Sequence, residues 1–292
     1  MPPEQSTTTF IRRRIAAKRR PKLKKKVTGR ASRSAKYPPS LPFSSAFLCL
    51  FVARPLVIAH RGASAEAPEN TLAAFDLALV LGADGIELDV QTTRDGVPVV
   101  FHDATLARLT GQRGRIACFT REDLRAVRVQ GEPIPSLAEV LALVRHRAVV
   151  QIEIKRGVPV APVVAAVLRA RAAAHVMFAS FESAVVDEVR RLAPRIPRML
   201  IAEGRGRPRT AFRSPPAGLL STLTALAATG VSMDYRAIRS PDFIAALKSQ
   251  GLCVWCWTVN RPHTMLRLAT WGVDAILSDN PALLKSTLEG PH

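Results

Sequence analysis

Residues 57–75 read VIAHRGASAEAPENTLAAF. Val57, Ile58 and Ala59 have the character of a buried strand, and the run ends on His60 and Arg61. Gly62 breaks the pattern and a polar loop follows. Leu72, Phe75 and Leu79 then recur at helical spacing behind Asn70 or Thr71, either of which suits a helix N-cap. The stretch is one strand–loop–helix unit with an imidazole and a guanidinium at the mouth of its strand.

From Pro55 onward the same unit recurs. Short apolar runs at 56–60, 85–90, 149–154, 175–180, 197–201, 231–234, 253–258 and 274–278 read as strands, with helical stretches between most of them. Leu137, Val140, Leu141 and Val144 mark one such helix, and Phe243 and Leu247, followed by a stop at Gly251, mark another. Eight strands with crossover helices in about 238 residues suit an α/β fold of the (β/α)8 TIM-barrel kind, whose usual length is about 250. A doubly wound open sheet is the competing arrangement. One element breaks the repeat: in VQTTRDGVPVVFHD, Asp95-Gly96 is a hairpin-turn dipeptide. Val97–Phe101 is therefore read as an extra hairpin strand after strand two, carrying His102 over the barrel mouth.

Charge divides the chain of 292 residues at about position 54. The first 54 residues hold 14 lysines and arginines against one acid, Glu4, whereas the remainder holds 28 against 22. The reading is therefore a basic, disordered N-terminal tail with a short apolar lead-in (1–54) before a catalytic domain (55–292). Such a tail suits contact with an anionic membrane or nucleic acid, or resembles an Arg-rich, acid-poor targeting segment. Its one apolar run, Ala46 to Ala53, falls far short of the roughly 20 residues that span a bilayer. No transmembrane segment is expected. A cytoplasmic location is the default, with targeting or membrane association through the tail as the alternative. The four cysteines give no disulfide framework. Cys253 and Cys256 form a CxxC within a strand, where alternation sends them to opposite faces, and no second pair completes a zinc site.

Chemistry in such barrels collects at the carboxyl ends of the strands. His60 and Arg61 end strand one. In strand two, GIELDV, alternation places Glu87 and Asp89 on one face; in strand three, VVQIEIKRG, it places Glu153 and Lys155 together. Buried carboxylates need compensation. Glu87, Asp89 and Glu153 make an all-oxygen site suited to one hard divalent cation, Mg2+ or Ca2+. Two imidazoles, His60 and His102, would flank it as general acid and base. With Arg61 and Lys155 beside them, the group suits an anionic substrate cleaved by proton transfer, and a phosphodiester fits.

The series resembles the glycerophosphodiester phosphodiesterase family. HRG at 60–62, PENT at 68–71, GADGIELDV at 82–90 and TRDGVPVVFHD at 93–103 match that family's opening signature. IPSLAEVL at 134–141, IEIK at 152–155, SF at 180–181, WTVN at 257–260 and GVDAILSDNP at 272–281 continue it. The resemblance implies metal-dependent hydrolysis of small-molecule glycerophosphodiesters to sn-glycerol 3-phosphate and an alcohol. It implies metal ligation by Glu87, Asp89 and Glu153, acid/base work by His60 and His102, and phosphate holding by Arg61 and Lys155. Glu69 and Asn70 would support these residues from behind, and Trp257 would form an aromatic wall near the glycerol. Which histidine is acid, and whether the attacker is water or a glycerol hydroxyl, stays open. A related barrel enzyme acting on lysophospholipids is the alternative within catalysis.

Overall fold

The computed structural model describes residues 54–145, 147–203 and 214–290. The basic tail and its apolar lead-in lie outside those residues. Arg54, counted with the tail above, is held by Asp84, with Nη1 2.6 Å from Oδ2.

The described chain forms β1 (Leu56–His60), β2 (Gly85–Thr92), β3 (Pro98–Val100), β4 (Arg128–Val129), β5 (Glu132–Pro133), β6 (Val149–Ile154), β7 (Val176–Ser180), β8 (Arg198–Ala202), β9 (Gly230–Asp234), β10 (Cys253–Trp257) and β11 (Ala275–Ser278). Eight of these are parallel and run β1, β2, β6, β7, β8, β9, β10, β11 around a ring. Pairing of β1 with both β2 and β11 closes the ring, which excludes the open doubly wound sheet. Each predicted strand forms within two residues of its expected ends. Helices Leu72–Val80, Leu137–Val144, Val160–Arg169, Ser183–Leu192, Ala217–Ala225, Pro241–Lys248, Pro262–Thr270 and Pro281–Glu289 cover the outside.

Strand alternation sorts side chains between two environments. On β2, Ile86, Leu88 and Val90 face outward and pack with Phe75 of the first helix and Val140 of the second. The interior below the mouth is filled by Leu56, Ile58, Met177, Met199, Trp255 and Leu277. This apolar plug closes the barrel from beneath, so chemistry is confined to the carboxyl end. Cys253 belongs to the plug and Cys256 to the outer layer, on opposite faces as expected; a disulfide does involve Cys253.

The predicted extra strand is β3, antiparallel to β2 with Val90 opposite Val100 and Thr92 opposite Pro98. It has room because β1 stops at His60, opposite Glu87, and leaves the last residues of β2 with an open edge. Pro98, which lacks an N–H, is tolerated at such an edge position. The β4–β5 hairpin was not anticipated; two-residue strands are too short to carry a periodic signal. It rests on a separate small core that includes Phe101, Leu106, Leu124 and Ile134.

Local chemistry fixes the helix starts. Thr71, not Asn70, caps the first helix, its hydroxyl accepting from the Ala74 N–H at 3.2 Å. Ser136 and Glu139 of IPSLAEVL form a reciprocal capping box. No helix among the described residues is long and apolar enough to cross a membrane.

Gly85 faces the layer beneath the mouth, where a Cβ would stand 2.7 Å from Ile58 Cδ1 and 2.8 Å from the Val149 carbonyl oxygen. Gly85→Ala is expected to destabilise the barrel by about 1–3 kcal/mol, the usual cost of overpacking. The check is the denaturant midpoint at unchanged m-value; an unmoved midpoint would show that the layer yields.

Candidate active site

Register brings the acidic residues together. β1 and β2 pair so that His60 lies opposite Glu87, and β2 and β6 pair so that Asp89 lies opposite Glu153. Glu87, Asp89 and Glu153 each offer a carboxylate oxygen, all within 4.8 Å of one another. Their side chains are 4%, 1% and 11% exposed, so the charges are nearly cut off from water.

Two cations are committed to this group. Lys155 Nζ lies 2.7 Å from Asp89 Oδ1 and also bonds Glu153 Oε1. Arg61 Nε is 3.2 Å from Asp89 Oδ2, while its Nη1 donates to Glu69 Oε1 at 2.9 Å. Asn70 Nδ2 donates to Asp89 Oδ2 at 2.8 Å, and Asn70 Oδ1 accepts from the Asp89 N–H at 3.3 Å. Burial alone would raise the Asp89 carboxyl, but Lys155 and then Arg61 outweigh it and hold it well below the usual carboxylate range. Glu87 lacks such partners. Burial, then the Asp89 charge, push it up to about 8, and burial with Asp89 likewise raises Glu153.

That imbalance tests the fit of a cation. Oxygens on opposite sides of a hard divalent ion lie roughly 4–5 Å apart, given bond lengths of about 2.0–2.6 Å. The three carboxylates meet that spacing, and their group is short of positive charge at Glu87. A divalent ion fits the donor set.

The HRG bend aims the first of these groups. Arg61 takes a left-handed φ of 57° and Gly62 one of 83°. A Cβ on Gly62 would stand 2.7 Å from the Ala74 backbone carbon, so only glycine lets the strand end lie so close to the first helix. The bend turns the Arg61 backbone N–H onto Glu87 Oε2 at 3.0 Å. Asn70, φ 59°, makes a second left-handed turn that sends its amide to Asp89 rather than to the helix cap. Strain of this kind, about 1–3 kcal/mol per residue, persists where surrounding contacts over-determine it.

Both imidazoles are tethered through Nδ1. His60 Nδ1 lies 2.7 Å from Asp279 Oδ1, and its Nε2 is 4.0 Å from Glu87 Oε2. His102 Nδ1 lies 2.6 Å from Asp103 Oδ1. Hydrogen bonds and nearby cations hold both aspartates below the usual carboxylate range in spite of partial burial. An ionised carboxylate only accepts, so each Nδ1 is the donor and each Nε2 is left for other chemistry. For His60, burial lowers the pKa, but the Asp279 bond and the Glu87 charge more than reverse that and the net shift is upward. For His102, burial, aided by Lys155 and Arg61, wins over Asp89 and the net shift is downward.

The structure thus joins nine of the ten sequence-selected residues in one network at the mouth. Trp257 is engaged differently. Its indole N–H donates to the Ser232 carbonyl at 3.1 Å, and its ring meets half-exposed Phe181 edge-on, centroids 5.8 Å apart. The sequence reading missed Asp279 and its partner Asn260, whose Nδ2 donates to Asp279 Oδ2 at 2.6 Å. Both lie at strand ends, in WTVN and SDNP, and a polar residue at a barrel strand's carboxyl end was the available signal. It also missed Asp103 and Arg108.

Residues 60–283 match the model of the glycerophosphoryl diester phosphodiesterase family. The chain belongs to this family. A glycerophosphodiester phosphodiesterase of Caldanaerobacter subterraneus subsp. tengcongensis is 35% identical over 247 residues, covering 78% of this chain and 96% of that protein. Among solved structures, an Oleispira antarctica phosphodiesterase in complex with the product sn-glycerol-3-phosphate superposes with a TM-score of 0.71 at 27% identity, covering 81% of this chain and 98% of that one. A glycerophosphodiester phosphodiesterase from Agrobacterium tumefaciens gives 0.68 at 31% identity, covering 79% and 98%. The chain is therefore an enzyme of the glycerophosphodiester phosphodiesterase class on a TIM barrel.

A cation bound by the three carboxylates would stabilise the folded state by mass action, about 2.7 kcal/mol at a hundred times its dissociation constant. Mg2+ or Ca2+ added to metal-stripped protein is expected to raise Tm, and Glu87→Gln to remove most of that rise. An undiminished rise in the variant would take Glu87 out of the ligand set.

Proposed function

We propose that this member of the family hydrolyses glycerophosphodiesters to sn-glycerol 3-phosphate and an alcohol, using one divalent cation, Mg2+ or Ca2+, and two histidines. The observation that carries the reading is the meeting of a cation-deficient carboxylate cluster and two Nδ1-tethered imidazoles in one barrel mouth. The product bound to the Oleispira antarctica relative supports the substrate class.

Glu87, Asp89 and Glu153 would hold the cation. Once bound, it supplies Lewis-acid polarisation of a phosphoryl oxygen and a template for the glycerol. Arg61 and Lys155 offset negative charge on the phosphoryl oxygens, in a site where low exposure strengthens each interaction. Both are oriented beforehand by Glu69, Asp89 and Glu153, so little reorganisation accompanies substrate entry. One imidazole accepts the proton of the attacking oxygen at Nε2 as that oxygen bonds to phosphorus. The other donates a proton from Nε2 to the alkoxide as its bond to phosphorus breaks. Asp279 and Asp103 stabilise each ring in its charged form. Glu69 and Asn70 keep Arg61 and Asp89 in place, and Trp257 with Phe181 offers an apolar wall to the carbon skeleton.

The test is release of glycerol 3-phosphate from glycerophosphocholine by the purified full-length chain with Mg2+ or Ca2+, with EDTA, and in His60→Ala and Glu87→Gln. Metal-dependent release is expected. His60→Ala should lower kcat by about 10^2–10^4, the usual worth of a general acid or base, and Glu87→Gln should abolish the response to metal while the protein stays folded. No release by folded protein with either metal would overturn the substrate class; wild-type turnover in Glu87→Gln would overturn the metal assignment.

A further inference from the structure

Arg108 stands on the loop that follows β3, in a four-residue helix, Ala107–Thr110, of which no residue is buried. Its side chain is 46% exposed. An exposed arginine on a loop is ordinarily a weak surface ion pair, worth little to stability. The bonds of this one are different. Nη1 and Nη2 grip Glu69 in a two-pronged pair at 3.0 and 2.8 Å, and Nε donates to Asp103 Oδ2 at 2.5 Å. Three of its nitrogens are thus divided between two carboxylates.

Each carboxylate has a second duty. Glu69 Oε1 also accepts from Arg61 Nη1 at 2.9 Å. Asp103 Oδ1 accepts from His102 Nδ1 at 2.6 Å. A single chain of bonds therefore runs from His102 through Asp103, Arg108 and Glu69 to Arg61. Its ends reach the mouth from different sides: Arg61 directly follows β1, whereas His102 follows β3, the strand outside the barrel ring. Strand β2 anchors the backbone at His102, with Gln91 Nε2 donating to the His102 carbonyl at 3.0 Å and the Phe101 N–H to the Asp89 carbonyl at 2.9 Å, but neither bond holds the imidazole ring, whose orientation is left to Asp103.

We propose that Arg108 is a positioning residue for the reaction, which sets the ring of His102 through Asp103 and the guanidinium of Arg61 through Glu69. The inference rests on the function proposed above for His102 and Arg61. By occupying Oδ2, Arg108 leaves Oδ1 of Asp103 for the imidazole and fixes the plane of the carboxylate. By gripping both oxygens of Glu69, it fixes where Arg61 Nη1 finds its acceptor. A lysine cannot substitute, because one ammonium on a flexible stem does not present three coplanar donors. The geometry, and not the positive charge alone, is what the rim uses.

The experiment compares wild type, Arg108→Gln and Arg108→Lys at saturating metal, with Asp103→Asn as the single-branch control. Because Arg108 lies on an exposed turn, Tm should move by no more than about 2 °C. Arg108→Gln should lower kcat/KM by about 10–100-fold, the scale of loss from a small misplacement of reacting groups. Both kcat and KM should worsen, since both branches loosen. Asp103→Asn should lower kcat with little change in KM. Arg108→Lys should behave like Arg108→Gln; restoration of wild-type kcat and KM by lysine would overturn the proposal. Ring nitrogen-15 spectra give a readout that needs no turnover. The deprotonated ring of His102 should carry its proton on Nδ1 in the wild type and become a tautomer mixture in Arg108→Gln. His60, tethered separately to Asp279, should not change. An unchanged His102 spectrum overturns the proposal even if turnover is absent, whereas absent wild-type turnover with a changed spectrum overturns only the assigned reaction.

Discussion

Three carboxylates within 4.8 Å of one another, none more than 11% exposed, are the constraint around which the site is built. Like charges in low dielectric repel strongly, and each also loses its hydration. Asp89 is compensated from three directions by Lys155, Arg61 and Asn70. Among the described residues, Glu87 receives the Arg61 backbone N–H and a distant imidazole. The residual imbalance at Glu87 leaves the cluster short of positive charge, which is what a bound cation would supply, while the charge at Asp89 is already offset.

The barrel supplies the rigidity that such an arrangement demands. Alternation puts Ile86, Leu88 and Val90 against the helices while Glu87 and Asp89 point inward. One strand thus serves the core and the site at once, and the fold cannot shift its register without burying the wrong set. Below the acids, the apolar plug around Trp255 and Met177 gives the charges a dry floor. Above them, the parallel strands end in loops whose backbones are free to take unusual conformations. The left-handed turns at Arg61, Gly62 and Asn70 are of this kind; Arg61 directs its N–H at Glu87 and Asn70 its amide at Asp89, both acids of β2.

Tethering by carboxylates recurs around the mouth. Asp279 holds His60, Asp103 holds His102, and Glu69 holds Arg61. In each case a group proposed to meet the substrate is held by an anion, and each anion is itself held by further donors: Asn260 and Ser64 on Asp279, Arg108 on Asp103 and Glu69. The outer ring of donors lies largely on loops, so the precision of the site comes from cross-links between loops as well as from the strands.

Local pattern determined much of this protein. The strand and helix order was legible because apolar periodicity and turn dipeptides act over a few residues, and the inward placement of Glu87, Asp89 and Glu153 followed from period-two alternation alone. The Asp95-Gly96 turn and the valines after it were enough to place β3. Other features depend on approaches that no local pattern encodes. Thr71 rather than Asn70 caps the first helix because Asn70 is drawn to Asp89, and the tether of His60 comes from Asp279, a residue 219 positions away. Arg108 carries no periodic or motif signal, yet it joins two strands' worth of site residues. Sequence decides which side chains face the mouth, because that depends on spacing along one strand; tertiary structure decides which of them touch, because hydrogen bonds of about 3 Å depend on how distant strands and loops close around the barrel.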